Sequence, residues 1–503
     1  MAGKPSEVDA YAGMPDRPSV YRIACIVFVR SYLALPSDAR YHVANCCPDA
    51  AMTTYALTCL APVLVAGLLE WVKALLQVPR QALERALARQ EQADRDLILT
   101  ERRAVQEFIA SLSERTGPAS RRQEDQGLGR GVLIVGGRHH VAKGRWTYYT
   151  LDALLAVAAL RRVGCALPVE LWHDHDPALL STEGLAAKDT LGRTVVLRDT
   201  WEVPGGQWVQ GYALSTFVLL HTAFDEVLYL DADIIALADP TPLFQLPEYT
   251  ATGAVFWPDR GYYTGEEASW KVVGTKPELL RHTCENSVML IHRGRHANGS
   301  LLADYLTRRW KQWHFRPPFF LWGDVDMLIL AWVALGMPFH MAEDAGPGTV
   351  GFTVGDSPAT FCGHSMLIMH PTRPHEPMFH HRTQSKLSFY PGLDLPSQAV
   401  KWYAPNIKPA DSSDACPPCG HSHHGPLWRC TDILGVPIDQ SAAAQDVLAN
   451  ITETERLLVQ LRSVLFWDGR LQPGWPHALA GFRTPGSSSG TVESVTKPAV
   501  SKK

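Results

Sequence analysis

The stretch Glu226-Val-Leu-Tyr-Leu-Asp-Ala-Asp233 decides how the chain is read. Five residues with an apolar run at their centre form a buried strand, and the strand delivers two carboxylates, one residue apart, into the turn that follows. Asp231 and Asp233 share a face if extension continues, so both can approach one hard cation, which prefers oxygen ligands. Alone, the spacing D-x-D is equally that of a solvated turn. Its place after an apolar strand and ahead of an Asp239-Pro240 turn gives it weight.

Working outward, the same texture repeats. Gly131-Val-Leu-Ile-Val135 is a short buried strand followed at once by Gly136-Gly137, and Tyr149 to Arg162 has helical periodicity. Pro168-Val-Glu-Leu-Trp172 and Thr194-Val-Val-Leu197 are further strands, and Gly211 to Thr222 a helix. Strands alternating with helices predict an α/β fold with a parallel sheet, whose ligands collect at the carboxyl ends of the strands. Gly136, Gly137, Asp231 and Asp233 all fall at such ends. Ala254 to Trp257 and Ser287 to Ile291 add strands; Leu301 to Trp313, Val325 to Leu335 and Gln445 to Leu465 add helices.

The chain has 503 residues, at ~150 per domain enough for about three units or one large α/β domain with flanks. Hydrophobic residues at 46% against 19% charged give most of it a core to bury. A formal charge of −4 excludes the basic excess of a general nucleic-acid binder. The organisation expected is an N-terminal region (1–49), a membrane anchor (50–72), a helical stem and linker (73–129), a catalytic domain (130–395), a C-terminal extension (396–483) and a disordered tail (484–503). Residues 50–69 carry no charge and are long enough to span a bilayer, or to form a buried helix. Residues 81–116 lack Gly and Pro and form a long amphipathic helix: a stem, a coiled-coil contact, or a helix packed on the domain.

The ten cysteines make no dense disulfide framework. Cys416-Pro-Pro-Cys419-Gly-His421 has the spacing of three zinc ligands, but lacks a clean second pair; a local disulfide or a plain loop fits it as well. Asn298-Gly-Ser300 and Asn450-Ile-Thr452 are glycosylation sequons. Arg138, Lys143 and Arg145 can hold a diphosphate at the end of the first strand, or belong to a solvated loop.

Several motifs in register resemble one family. Gln210-Gly-Tyr-Ala-Leu214, Glu226 to Asp233, Asp239-Pro240, Leu243-Phe244, Tyr249, Thr252 to Pro258, Trp322-Gly-Asp-Val-Asp326, Phe361-Cys-Gly363, His370-Pro371 and Phe379-His-His-Arg382 are similar to the fungal Mnn1-type α-mannosyltransferases, glycosyltransferase family 71. The matches run over residues 131–390, about half the chain. The resemblance implies a GT-A type Rossmann-like fold related to the glycogenin-like transferases. It implies a nucleotide-sugar donor, usually GDP-mannose, a glycan or glycoprotein acceptor, a divalent cation, usually Mn²⁺, and retention of configuration. It also implies a single-pass Golgi membrane protein with a luminal catalytic domain.

Carried over by position, Asp231 and Asp233 hold metal and nucleotide, with Gly136, Gly137, Arg138 and Lys143 beside the donor. His370 is the expected third metal ligand, as a late histidine is in the glycogenin-like enzymes; a structural loop histidine is the alternative. Asp324, Asp326 and Glu285 are the expected catalytic carboxylates, the first two being otherwise helix caps. Ser287 and Val288 stand where the family more often has Gly and Gln. A UDP-sugar transferase of the same fold, or a glycan-binding relative without turnover, remain alternatives.

Overall fold

The computed structural model describes residues 80–115, 129–136, 138–141, 145–175, 186–188, 194–209, 211–262, 268–275, 282–309, 327–343, 345–353, 361–383, 402–404, 432–434, 441–467 and 470–471. Contacts divide the chain into two units, Met1–Arg95 with Ser422–Leu427, and Asp96–His421 with Trp428–Lys503. In the first, the described residues are the opening turns of one helix. Everything below concerns the second.

In chain order the described elements begin with helix α1 (Arg80–Arg115), β1 (Arg130–Val135) and a hairpin of β2 (Arg138–Val141) and β3 (Arg145–Tyr148). Then come α2 (Tyr149–Arg162), β4 (Val169–His173), β5 (Ala186–Lys188), β6 (Thr194–Asp199), α3 (Ala213–His221), β7 (Glu226–Asp231), β8 (Ile234–Ala236) and β9 (Ala254–Tyr262). β10 (His282–His292), α4 (Ala297–Thr307), α5 (Met327–Ala334), β11 (His340–Met341) and β12 (Gly348–Thr353) follow. Next are β13 (Phe361–His370), β14 (Arg373–His381), β15 (Trp402–Ala404), β16 (Asp432–Leu434) and α6 (Ala442–Leu465), and the short antiparallel pair β17 (Phe466–Trp467) and β18 (Arg470–Leu471) comes last.

The main sheet has eight strands in the order β11-β9-β10-β7-β1-β4-β6-β5. Its centre, β7-β1-β4-β6, is parallel, and β10 runs antiparallel against β7. A parallel centre must be covered on both faces, because crossover helices lie there. Accordingly Val132, Ile134, Leu228 and Leu230 enter one core with α2 and α6. Leu133, Val227 and Tyr229, one residue out of phase, enter the other with α3, α4 and α5. This α/β class is the one the sequence predicts.

A second sheet, in the order β15-β12-β13-β14-β8, was not foreseen. Its strands are antiparallel, and β8 follows β7 after a two-residue turn. Asp231-Ala232-Asp233 is thus the point where the chain leaves one sheet for the other. The Trp257 indole N–H on β9 donates to the Met369 carbonyl on β13 at 2.8 Å, a second tie between the sheets.

Of the roles open to the long helix, the structure shows packing on the domain over Asp96–Arg115. Val105 is fully buried in the second core, and Phe108 stacks on Tyr305 of α4 with centroids 4.0 Å apart. The Tyr305 hydroxyl donates to the Ala104 carbonyl, and Arg309 pairs with Glu101 at 3.1 Å. α6, expected within a C-terminal extension, contributes Leu448, Ile451, Leu458, Leu461 and Leu465 to the first core. The Asn450 sequon lies in α6, where its amide donates to the Leu237 carbonyl and accepts from Arg162, so that side chain is already committed. Cys165 and Cys284 are buried free thiols. Residues 50–72 and the Cys416, Cys419, His421 cluster lie outside the described residues, among which no helix is long and apolar enough to cross a membrane.

The packed helix gives the first prediction. Phe108→Ala should cost about 2 kcal/mol in urea unfolding, below the ~3–5 kcal/mol of a fully buried Phe because this ring is only partly covered. A chain beginning at Gly129 should melt several degrees below one beginning at Arg80. Equal melting temperatures would show the helix to be an appendage.

Candidate functional site

The site is assembled at the carboxyl edge of β7. Val135, the last residue of β1, pairs with Asp231, so the end of β1 and the D-x-D turn lie side by side. Gly136 follows at once, its N–H donating to the Trp172 carbonyl at 2.8 Å. A Cβ there would stand 3.1 Å from Thr150 Cα and 3.3 Å from Ala153 Cβ, so a side chain would press on α2. Gly136 therefore lets strand and helix close up beneath the edge.

Tyr229 and Asp231 are two apart on β7 and share a face, and the Tyr229 hydroxyl donates to Asp231 Oδ1 at 2.6 Å. Asp233, 6% exposed, sits past the turn. There its carbonyl accepts from the Arg382 backbone N–H at 3.1 Å, continuing the β8–β14 ladder in which His381 pairs with Ile234. That ladder brings the His381 ring beside the carboxylate, Nε2 lying 3.5 Å from Asp233 Oδ2.

The third carboxylate arrives from β10. The pairing of β10 with β9 jumps from Glu285–Trp257 to Met289–Phe256, leaving residues 286–288 as a bulge. Bulges re-aim side chains, and here Glu285 Oε2 comes within 3.5 Å of His381 Nδ1. The Ser287 N–H donates to Glu285 Oε1 at 2.9 Å, and the Ser287 hydroxyl lies 3.3 Å from His381 Nδ1. One imidazole is thereby held between two buried carboxylates, with a third at Asp231.

The electrostatics follow from crowding. Burial, then the neighbouring Asp233 charge, pushes Asp231 up to about 6, against the Tyr229 hydrogen bond that favours the carboxylate. Burial works against a charged His381, but Asp233 and Glu285 overcome it and raise the ring to about 10. Glu285 is held below its ordinary value: burial opposes this, and His381 and the Ser287 bonds outweigh it. With Asp231 ionised, three negative charges face one positive ring.

The sequence-predicted residues divide as follows. Asp231, Asp233 and Glu285 are brought together, and Gly136 lies at the same edge. His370 is not with them. It closes the β13–β14 hairpin opposite Arg373, whereas His381 pairs with Met366, four residues or about 13 Å back along the strand. His370 Nδ1 accepts from the Thr372 N–H at 3.3 Å, so it serves its own turn. The sequence alone gives His381, Tyr229 and Ser287 no role in the site. Tyr229 was findable from its i, i+2 relation to Asp231; His381 depends on a strand pairing between residues far apart in sequence. Asp324, Asp326, Gly137 and Lys143 lie outside the described residues, as does the Arg138 side chain.

The carboxylates suit a divalent cation such as Mn²⁺, with His381 as a further donor once it has given up its proton, and the excess negative charge favours a cation. Among the described residues no three such side chains already stand as a coordinating group. The fit is one of donor chemistry.

Residues 129–274 match a protein-family model described as "Mannosyltransferase putative". Alpha-1,2-mannosyltransferase MNN23 of Candida albicans is 30% identical over 136 residues, 26% of this chain and 21% of that protein. Alpha-1,2-mannosyltransferase MNN2 of Candida albicans is 24% identical over 224 residues, 41% of this chain and 34% of the relative. The chain thus spans about a third or less of the length of these relatives. Among solved structures, the glycosyltransferase GlyE of Streptococcus pneumoniae shares 19% identity over 43% of this chain and 46% of its own, with a TM-score of 0.29. The resemblance to fungal Mnn-type mannosyltransferases is therefore carried by the segment that holds β1, β7 and the D-x-D turn.

The charge arrangement gives the second prediction. His381→Ala leaves Asp233 and Glu285 facing each other and should cost about 3 kcal/mol in urea unfolding, as when one partner of a buried pair is removed. His381→Ala with Glu285→Gln should recover part of that loss. Because the folded value of His381 is raised, its stabilisation is complete below pH ~6.5 and is lost as the pH rises through about 10. His381→Gln should abolish this part of the alkaline loss; an unchanged pH profile would contradict the arrangement.

Proposed function

We propose that the chain is a mannosyltransferase that moves mannose from GDP-mannose onto a glycan or glycoprotein acceptor, with a divalent cation at Asp231 and Asp233. One observation supports this most: three carboxylates, Asp231, Asp233 and Glu285, gather around one imidazole at the carboxyl edge of a parallel sheet. A nucleotide diphosphate would be repelled from such an edge unless a cation came with it. The names of the matching relatives support mannose as the sugar and an α-1,2 linkage as the bond formed.

In this reading Asp231 and Asp233 hold the cation, and His381, once neutral, supplies a nitrogen beside Asp233. When bound, the cation neutralises the charge that grows on the leaving diphosphate. The Tyr229 hydroxyl keeps Asp231 oriented and favours its ionised form. Glu285, fixed by the Ser287 N–H, is placed to orient His381 or a sugar hydroxyl. The close approach at Gly136 lets α2 pack against the end of β1 beneath the donor edge. Asp324 and Asp326 are proposed to support the developing oxocarbenium ion in a transfer with retention. The reading also takes residues 50–72 as an anchor in the Golgi membrane, with the transferase domain in the lumen.

A panel of nucleotide sugars scored for turnover with and without Mn²⁺ tests this. GDP-mannose should be the preferred donor and chelation should abolish turnover. Asp231→Ala should lower turnover roughly a thousandfold, about 4 kcal/mol, as for other lost electrostatic stabilisers. Preference for a UDP-sugar would replace the donor assignment. Near wild-type turnover of Asp231→Ala would remove the site.

A further inference from the structure

Behind His381, on the other face of β14, lies a second charge cluster that the reaction does not use. His380, Arg382 and Glu455 are each 1% exposed or less. Arg382 Nη1 contacts Glu455 Oε1 directly, and His380 Nδ1 lies 3.5 Å from the same oxygen. The other ring nitrogen of His380 is 2.8 Å from the Ser365 hydroxyl on β13. Glu455 comes from α6, some 70 residues on in the chain. Residues 380 and 382 flank His381, and successive strand side chains point to opposite faces. The cluster therefore grips β14 immediately before and after the residue that reaches Asp233.

The backbone makes the link direct. The Arg382 N–H donates to the Asp233 carbonyl at 3.1 Å, while its guanidinium is held by Glu455. One residue thus fixes the D-x-D turn through its main chain and α6 through its side chain. A buried ion pair is a poor source of net stability: apolar replacements of similar volume are often neutral or better, whereas removal of one partner is strongly destabilising. The apolar face of α6 already supplies the packing, through Leu448, Ile451 and Leu458. What the charged cluster adds to that packing is a directional tie between α6 and the end of the strand.

We propose that Glu455 is a positioning residue of the donor site: through Arg382 and His380 it sets β14 so that His381 and the Asp233 turn present their donors to a cation. This rests on the donor-site reading above. Residues that orient ligands from behind typically change metal affinity 10–100-fold when lost.

The test is Mn²⁺ binding to the full chain, followed by the electron paramagnetic resonance of free Mn²⁺, with the melting temperature measured alongside. Glu455→Gln should weaken Mn²⁺ binding about tenfold. The double variant Arg382→Met with Glu455→Leu removes the clamp without stranding a charge. It should melt close to the wild type yet still bind Mn²⁺ about tenfold more weakly. Wild-type affinity in the double variant would overturn the proposal and leave the cluster as packing. Failure of the wild-type chain itself to bind Mn²⁺ would instead overturn the donor-site reading, and the proposal with it.

Discussion

The structure turns on one constraint: the chain must pass from the parallel sheet into the antiparallel one within the two residues Ala232 and Asp233. β7 is held on both sides, by β1 and by β10, up to its last residues. β8 begins at Ile234 and is at once paired with β14. Asp231 and Asp233 are therefore fixed by backbone ladders belonging to two different sheets. The two residues cannot move apart without breaking strand pairing in one sheet or the other. Their mutual repulsion, and that of Glu285, is built into the fold and is met in part by His381.

This explains why the site draws on such distant parts of the chain. β7 brings Tyr229 and Asp231, the bulge in β10 brings Glu285 and Ser287, and β14 brings His381. α6 supports β14 from behind through Glu455. The C-terminal helix is thus joined to the edge that holds the three carboxylates, and the packed half of α1 belongs to the core on the other face of the main sheet.

Much of the main sheet was legible because parallel, doubly covered strands are continuous apolar runs. The reading of 131–135, 168–172, 194–197 and 226–230 falls within a residue or two of β1, β4, β6 and β7, and the helix at 149–162 is where it was expected. The second sheet was not legible. Its strands mix Gly, Thr, His and Pro with apolar residues, and its pairings shift register at Val350 and again at Ile368 and Met369, so no clean alternation survives. The same cause hid His381. Nothing local separates it from His370, and only the β8–β14 register says which one reaches Asp233. The placing of the two aspartates at the strand end was legible because the strand and its turn are adjacent in sequence.

The most direct measurement of the central claim is a crystal structure of the chain grown with GDP and Mn²⁺, with the ion located by its anomalous scattering. The account predicts one strong Mn²⁺ peak in direct contact with Asp231 and Asp233, with His381 turned towards it and the diphosphate on its far side. A peak seated elsewhere, or a nucleotide bound away from the end of β7 with no ion at the two aspartates, would contradict it.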